Sequence, residues 1–157
     1  MGDVVTLRPA RAEEADAVAA LVKTAFEHRY MDLLGRAWEP GEIEAVRDAV
    51  RRGRVTLAEI GGAPVGALWL EEDGETLWID HVAVAAQAQG RGVGRVLLDQ
   101  AERVARDGGF RLLKLLTAEM MDHLIALYAA RGFVETHREP PKNGADTSLR
   151  VYMEKRL

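Results

Sequence analysis

The sequence predicts an α/β domain built on a mixed sheet of six to seven strands flanked by about four helices. Three observations predict it. Short β-branched runs come first and are joined by tight-turn signals, Gly61-Gly62 and Asp73-Gly74. Later strand-like runs alternate with segments of helical periodicity, which implies crossover connections. Between these halves, Leu77 to Leu98 (LWIDHVAVAAQAQGRGVGRVLL) passes from an apolar strand through a glycine cluster into a helix. One domain over residues 1–157 accounts for the whole pattern.

Taken in order, Val4 to Arg8 reads as a first strand that Pro9 ends. From Ala12 a helix is marked by Ala15, Val18, Ala19, Leu21, Val22 and Phe26, with Glu13, Glu14 and Asp16 favouring the positive end of its dipole. His28 to Glu39 mixes apolar residues with Gly35 and Pro40 and gives no clear period. A second helix is expected over Gly41 to Arg52, and strands over Arg54 to Ile60, Ala63 to Glu71 and Glu75 to Val84. Leu77 to Val84 is apolar enough to predict burial on both faces. Gly92 to Arg106 is an amphipathic helix stopped by Gly108-Gly109. Leu112 to Thr117 is a short strand, Met120 to Ala130 a helix, and Phe133 to Arg138 and Ser148 to Arg156 the closing strands around a polar loop.

Composition narrows the function. The chain has 157 residues, 48% of them hydrophobic, which is ordinary for a globular protein. A formal charge of −4 offers no basic footprint for nucleic acid. No apolar run is long enough to span a membrane, and Met1 to Pro9 holds no signal-peptide core, so a cytoplasmic protein is expected. With no cysteine there is no disulfide and no thiolate chemistry. His28, His81, His123 and His137 show no metal spacing, so no metal is expected.

The glycine cluster points to a phosphate. Helix-initial N–H groups lack intrahelical partners, and the dipole adds positive potential there. The dinucleotide spacing G-x-G-x-x-G fails, because Arg95 or Leu97 falls where its last glycine belongs, and no P-loop run exists. What stands is Gln89-Gly90-Arg91-Gly92-Val93-Gly94, directly after Val82-Ala83-Val84.

This Q-x-x-G-x-G run resembles the pyrophosphate loop of the GNAT superfamily of acetyl-CoA-dependent N-acetyltransferases. Two further segments are similar to family motifs: Tyr128-Ala129-Ala130-Arg131-Gly132-Phe133 to its Y-x-x-x-G-F segment, and Val151 to Lys155 to its last strand. The resemblance covers the whole chain and implies a GNAT-like fold with acetyl-CoA as co-substrate. It implies that the main chain of Val82, Ala83 and Val84 pairs with the pantetheine arm, with the acetyl carbonyl near the Val82 amide. Gln89, Gly90, Arg91, Gly92, Val93, Gly94 and Arg95 would hold the pyrophosphate, although exposed arginines such as Arg91 and Arg95 are often merely solvated. Tyr128 would be the general acid beside the sulfur; its phenol, with a usual pKa of about 10, stays protonated at neutral pH.

A base is needed because a lysine-like amine, with pKa about 10.4, is neutral in only about one molecule per thousand near neutral pH. Asp80, two residues before Val82-Ala83-Val84, is where some members of the family carry one. Period-2 alternation places it with Trp78, Val82 and Val84, and His81 on the opposite face with Ile79 and Ala83. A β-bulge would reverse that parity and bring His81 into consideration. One residue departs from the family: Met121 stands where many members have a cofactor-contacting asparagine, with Asp122 and His123 as neighbouring substitutes.

The acceptor is expected to be a primary amine on a small molecule or peptide, recognised by the Glu27 to Glu39 segment and the Glu139 to Thr147 loop. Glu27, Asp32 and Glu39 could attract a cation, and Tyr30 and Trp38 could pack on it, or the segment is a solvated helix face with two core aromatics. A non-catalytic coenzyme A-binding domain and a transferase for another acyl group remain alternatives. Exposed edge strands near the C-terminus would favour a homodimer.

Overall fold

The computed structural model describes residues 4–34, 39–142 and 146–157. Its elements, in chain order, are β1 (Val5–Pro9), a 3₁₀ turn (Ala12–Glu14), α1 (Ala15–Leu34), α2 (Pro40–Arg51), β2 (Val55–Ile60), β3 (Ala63–Asp73) and β4 (Thr76–Val84). A second 3₁₀ turn (Ala86–Ala88), α3 (Val93–Asp107), β5 (Leu112–Ala118), α4 (Asp122–Ala130), β6 (Val134–Glu139) and β7 (Arg150–Arg156) complete them. The strands form one seven-stranded sheet in the order β1-β2-β3-β4-β5-β7-β6. All neighbours are antiparallel except β4 and β5. The predicted mixed sheet with four helices is therefore the observed architecture.

Two apolar layers hold the helices to the sheet. On one side Val93, Leu97, Leu98, Ala101 and Ala105 of α3 pack on Leu68, Leu77, Ile79, Leu113 and Leu115. On the other, α1 and α2 place Val18, Val22, Val46 and Val50 against Val55, Leu57, Ala67 and Ala83. Helix α3 comes so close to β3 that a Cβ on Gly66 would lie 2.8 Å from Val93 Cγ1 and 3.0 Å from the Ala83 carbonyl oxygen. Only glycine fits that crossing.

The first strand ends at Pro9, which is its last residue and pairs with Thr56, while an expectation further along the chain is corrected. β1 is an edge of the sheet, where a missing N–H does little harm. The first helix runs on through the segment without clear period, to Leu34. Strand β4 is not buried on both faces: Leu77, Ile79 and Ala83 are buried, Trp78, His81, Val82 and Val84 partly so, and Asp80 is exposed.

The cause of this last difference is a bulge. β3 and β4 pair Trp69 with His81 and Leu70 with Ile79, so Asp80 is an extra residue on β4. Parity changes there. Leu77 and Ile79 lie in the α3-side core, and after the bulge it is Val82 and Val84 that pack against that core, while Ala83 joins the α1 and α2 side. The expected placing of Asp80 with Val82 and Val84 is thereby overturned.

Candidate active site in the split between β4 and β5

β4 and β5 share only three register pairs, Thr76 with Leu112, Leu77 with Leu113 and Trp78 with Lys114. Both strands then continue, but apart, while β5 stays in register with β7 as far as Ala118. Among the described residues, the outer edge of β4 beyond Trp78 has no strand partner. The opening is a cleft of about 1010 Å³ between β4, β5 and the first turn of α3, with α4 at its side.

At one end sits the glycine loop. Gly90 and Gly92 have φ of 77° and 83°, a region that side-chain-bearing residues rarely adopt, and Gly92 is the N-cap of α3. No side chain caps this helix, so its first N–H groups face the cleft unsatisfied by a cap. A Cβ on Gly90 or Gly92 would meet no atom within 4 Å, so the space beside the loop is open. Buried Ala88 pins the loop to the core, and Gln89 Nε2 reaches back to the Val84 carbonyl at 3.5 Å. Gln89, Gly90, Gly92, Val93, Gly94 and Arg95 line the cleft together with Val82, Ala83 and Val84. Arg91 is exposed and is not part of that lining.

Asp80 and His81, neighbours brought together by the bulge, both line the same cleft. Crowding by protein, helped by the Glu71 carboxylate and opposed by Arg52, pushes the Asp80 carboxyl up to about 6. Solvent still reaches its side chain. Among the described residues, no hydrogen bond or ion pair holds this carboxylate. Burial pushes the His81 imidazole down to about 4, against a smaller opposing effect of Glu42. At neutral pH the first is ionised and the second uncharged.

Tyr128, on α4, lines the cleft beside Leu124 and Leu127. Its ring meets buried Phe133 edge-on, with centroids 5.9 Å apart at 64°. A polar network fixes this corner. Arg131 Nη2 bonds Asp99 on α3 at 2.6 Å, while Lys155 Nζ donates to Glu102 at 2.8 Å and to the Arg131 carbonyl at 2.7 Å. Lys155 passes beneath Gly132, whose φ is 97° and where a Cβ would stand 3.3 Å from Lys155 Cε. The glycine of the Y-x-x-x-G-F segment thus gives the lysine room.

Of the remaining sequence candidates, Met121 is wholly buried at the N-cap of α4. Asp122 and His123 are exposed and do not line the cleft. Glu27 is paired with Lys23. Glu39 precedes α2, its N–H donating to Glu42 Oε2 at 2.8 Å. Neither lines the cleft. Tyr30 and Asp32 fall on α1, and Trp38 lies outside the described residues. In the loop before β7, Pro141 and Lys142 line the cleft, as does Arg150, which is held on Asp146 at 2.8 Å. Sequence reasoning missed Trp78, Glu71, Tyr152 and Arg150 as lining residues. The register partners of β4 and β7 are what bring them in. Among the described residues, no cluster of His, Cys, Asp or Glu could hold a metal ion, and no helix is long and apolar enough to cross a membrane.

A family model described as the acetyltransferase (GNAT) family matches residues 16–133. No curated protein matches the chain. Several solved structures share its fold. The ribosomal-protein-S18-alanine N-acetyltransferase from Escherichia coli superposes with a TM-score of 0.79 at 17% identity, over 98% of this chain and 94% of that one. An IAA acetyltransferase from Bacillus cereus gives 0.74 at 23% identity, over 98% and 100%. The PaiA N-acetyltransferase from Thermoplasma acidophilum, in complex with coenzyme A, gives 0.73 at 14% identity, over 98% and 99%.

Proposed function

Because the chain belongs to the acetyltransferase (GNAT) family, we propose that this acyltransferase moves acetyl from acetyl-CoA to the primary amine of a small molecule or peptide, by direct attack. The observation that carries the reading is the free edge of Val82, Ala83 and Val84 leading straight to the uncapped N-terminus of α3. An extended amide-bearing chain fits the first, and a pyrophosphate the second. Coenzyme A, seen bound to a structural neighbour, has both parts.

In this reading Asp80 takes a proton from the acceptor ammonium, directly or through water. A base whose pKa lies near 6 is ionised at neutral pH, yet more basic than an ordinary carboxylate. The freed amine attacks the thioester carbonyl carbon, and the Val82 N–H receives the developing oxyanion. As the tetrahedral adduct collapses, the carbon–sulfur bond breaks, the Tyr128 hydroxyl protonates the leaving thiolate, and the second proton shed by the attacking nitrogen passes through solvent to restore the phenol. The products are an N-acetylated amine and coenzyme A. Gly90, Gly92, Val93, Gly94 and Arg95 hold the pyrophosphate, with Gln89 bracing the loop. Arg91 could add charge from outside the lining.

Calorimetric titration with acetyl-CoA, comparing the wild type with Gly92→Glu, tests the reading. A glutamate there strains the left-handed N-cap and repels phosphate. Binding lost in the variant, with circular dichroism unchanged, supports the site and opens an amine screen with Tyr128→Phe as control. No wild-type binding at millimolar acetyl-CoA would end the proposal. Binding without turnover on any amine would favour a coenzyme A-binding regulatory domain instead.

A further inference from the structure

We infer that the acceptor is a linear aliphatic amine with a second positive charge, a diamine or polyamine, whose remote ammonium sits in an aromatic corner formed by Trp78 and Tyr152. The inference rests on the acetyltransferase reading above and names the substrate class of that same cleft.

The corner is built by register. Trp78 on β4 stands beside Lys114 on β5, and Leu116 on β5 beside Tyr152 on β7. The two aromatic rings meet at 88° with centroids 6.3 Å apart, and both line the cleft. Behind Tyr152 the His137 ring lies stacked at 4.3 Å, closing that side. The face of Trp78 already receives one cation: Lys114 Nζ lies 5.7 Å from its centroid. Aromatic faces bind ammonium groups through their quadrupole, more strongly where water is partly excluded.

The charges around the corner agree with it. Glu71 is the register partner of Trp78, and Asp73 stands a further two residues along β3, opposite Thr76. Both line the cleft. Arg52, which bonds Glu71 at 2.6 Å, does not. Of the cations that do line it, Arg150 is held by Asp146, Arg131 by Asp99, and Arg95 stands on the first turn of α3 at the glycine-loop end. Lys114, over the Trp78 face, is paired with Glu154 at 3.8 Å. Lys142 is the opposing group, and on its own it would favour an acceptor bearing a carboxylate.

Spacing sets the length. Asp80 marks the reacting amine and Trp78 lies two strand residues away, roughly 6–7 Å. A chain of about four or five methylenes between the two nitrogens covers that reach.

The test uses the protein saturated with coenzyme A and titrates it with 1,5-diaminopentane, pentylamine and 5-aminopentanoate. The same three are then compared as acceptors by kcat/KM with acetyl-CoA. The diamine is expected to exceed pentylamine by about tenfold in both assays, with the amino acid weakest. In Trp78→Leu the ratio of diamine to pentylamine should fall to within about threefold, and Trp78→Phe should restore part of it. Retained coenzyme A affinity shows that each variant is folded. Equal use of diamine and pentylamine, a preference for 5-aminopentanoate, or a ratio that survives Trp78→Leu would overturn the inference while leaving the acetyltransferase reading intact. Failure to bind coenzyme A at all would instead remove the reading beneath it, and the inference with it.

Discussion

Trp69 and His81 lie on adjacent strands with ring centroids 5.5 Å apart and planes at 28°, and the same indole donates from Nε1 to Glu71 at 2.8 Å. The stack holds His81 among protein groups that disfavour its charge, so the residue with the more useful ordinary pKa is not the better base. His81→Gln should keep kcat/KM within about threefold of wild type. A loss as large as that of Asp80→Asn would move the base from Asp80 to His81. The variant should also be less sensitive to acid. A folded pKa of about 4 lies below the model-peptide value of 6.5, so His81 contributes stability that is complete above that value and is lost as pH falls toward 4. Thermal melts between pH 7 and pH 4 would read the difference.

Asp80 carries the opposite sign. Its folded pKa, about 6, lies above the ordinary 3.8, so the ionised carboxylate that the proposed mechanism requires is the form the fold disfavours. Asp80→Asn is expected to lower kcat/KM by about 10²–10⁴-fold and to raise the melting temperature above pH 6, where the wild type is charged. In the wild type, kcat/KM should climb about tenfold per pH unit below pH 6 and flatten above it, until a second group intervenes. An acid limb unchanged in Asp80→Asn would remove the residue from the mechanism.

Gly66→Ala tests the crossing of β3 beneath α3. The new methyl group would press on Val93 and on the immovable Ala83 carbonyl. A destabilisation of about 1–3 kcal/mol in denaturant titration is expected. Because Val93 opens α3, acetyl-CoA affinity should weaken as well. Wild-type stability would mean that the helix can lift without cost.

Lys155→Met removes the ammonium that joins Glu102 to the Arg131 carbonyl. The lost partly buried hydrogen bonds should cost about 1–3 kcal/mol. With the end of α4 loosened, kcat should fall while the dissociation constant for acetyl-CoA stays near wild type. An equal change in both would show that the network supports the whole cleft and not the Tyr128 corner.

Much of this molecule can be read in one dimension. The hairpin turns at Gly61-Gly62 and Asp73-Gly74, the amphipathic period of α3 and the spacing Gln89-Gly90-Arg91-Gly92-Val93-Gly94 are all local signals, and each marks a real element. What escapes is set by partners distant in sequence. Strict alternation places Asp80 and His81 on opposite faces, and only the pairing with Trp69 and Leu70 exposes the extra residue. Gly66 looks like any strand glycine until Val93 lies over it. Trp78 and Tyr152 are 74 positions apart in the numbering (152 less 78) and meet because β7 inserts between β5 and β6. Arg131 and Lys155 would each pass for a surface cation.

Three rungs of parallel pairing are all the strand ladder that joins β1 to β4 with β5, β7 and β6. The sheet is thus two antiparallel ribbons meeting at a short seam, and a substrate laid along Val82 to Val84, as proposed, would act as additional stitching between them. Occupancy should therefore slow amide exchange on both ribbons at once, beyond the residues it touches, and the loaded protein should melt as a more cooperative body than the empty one.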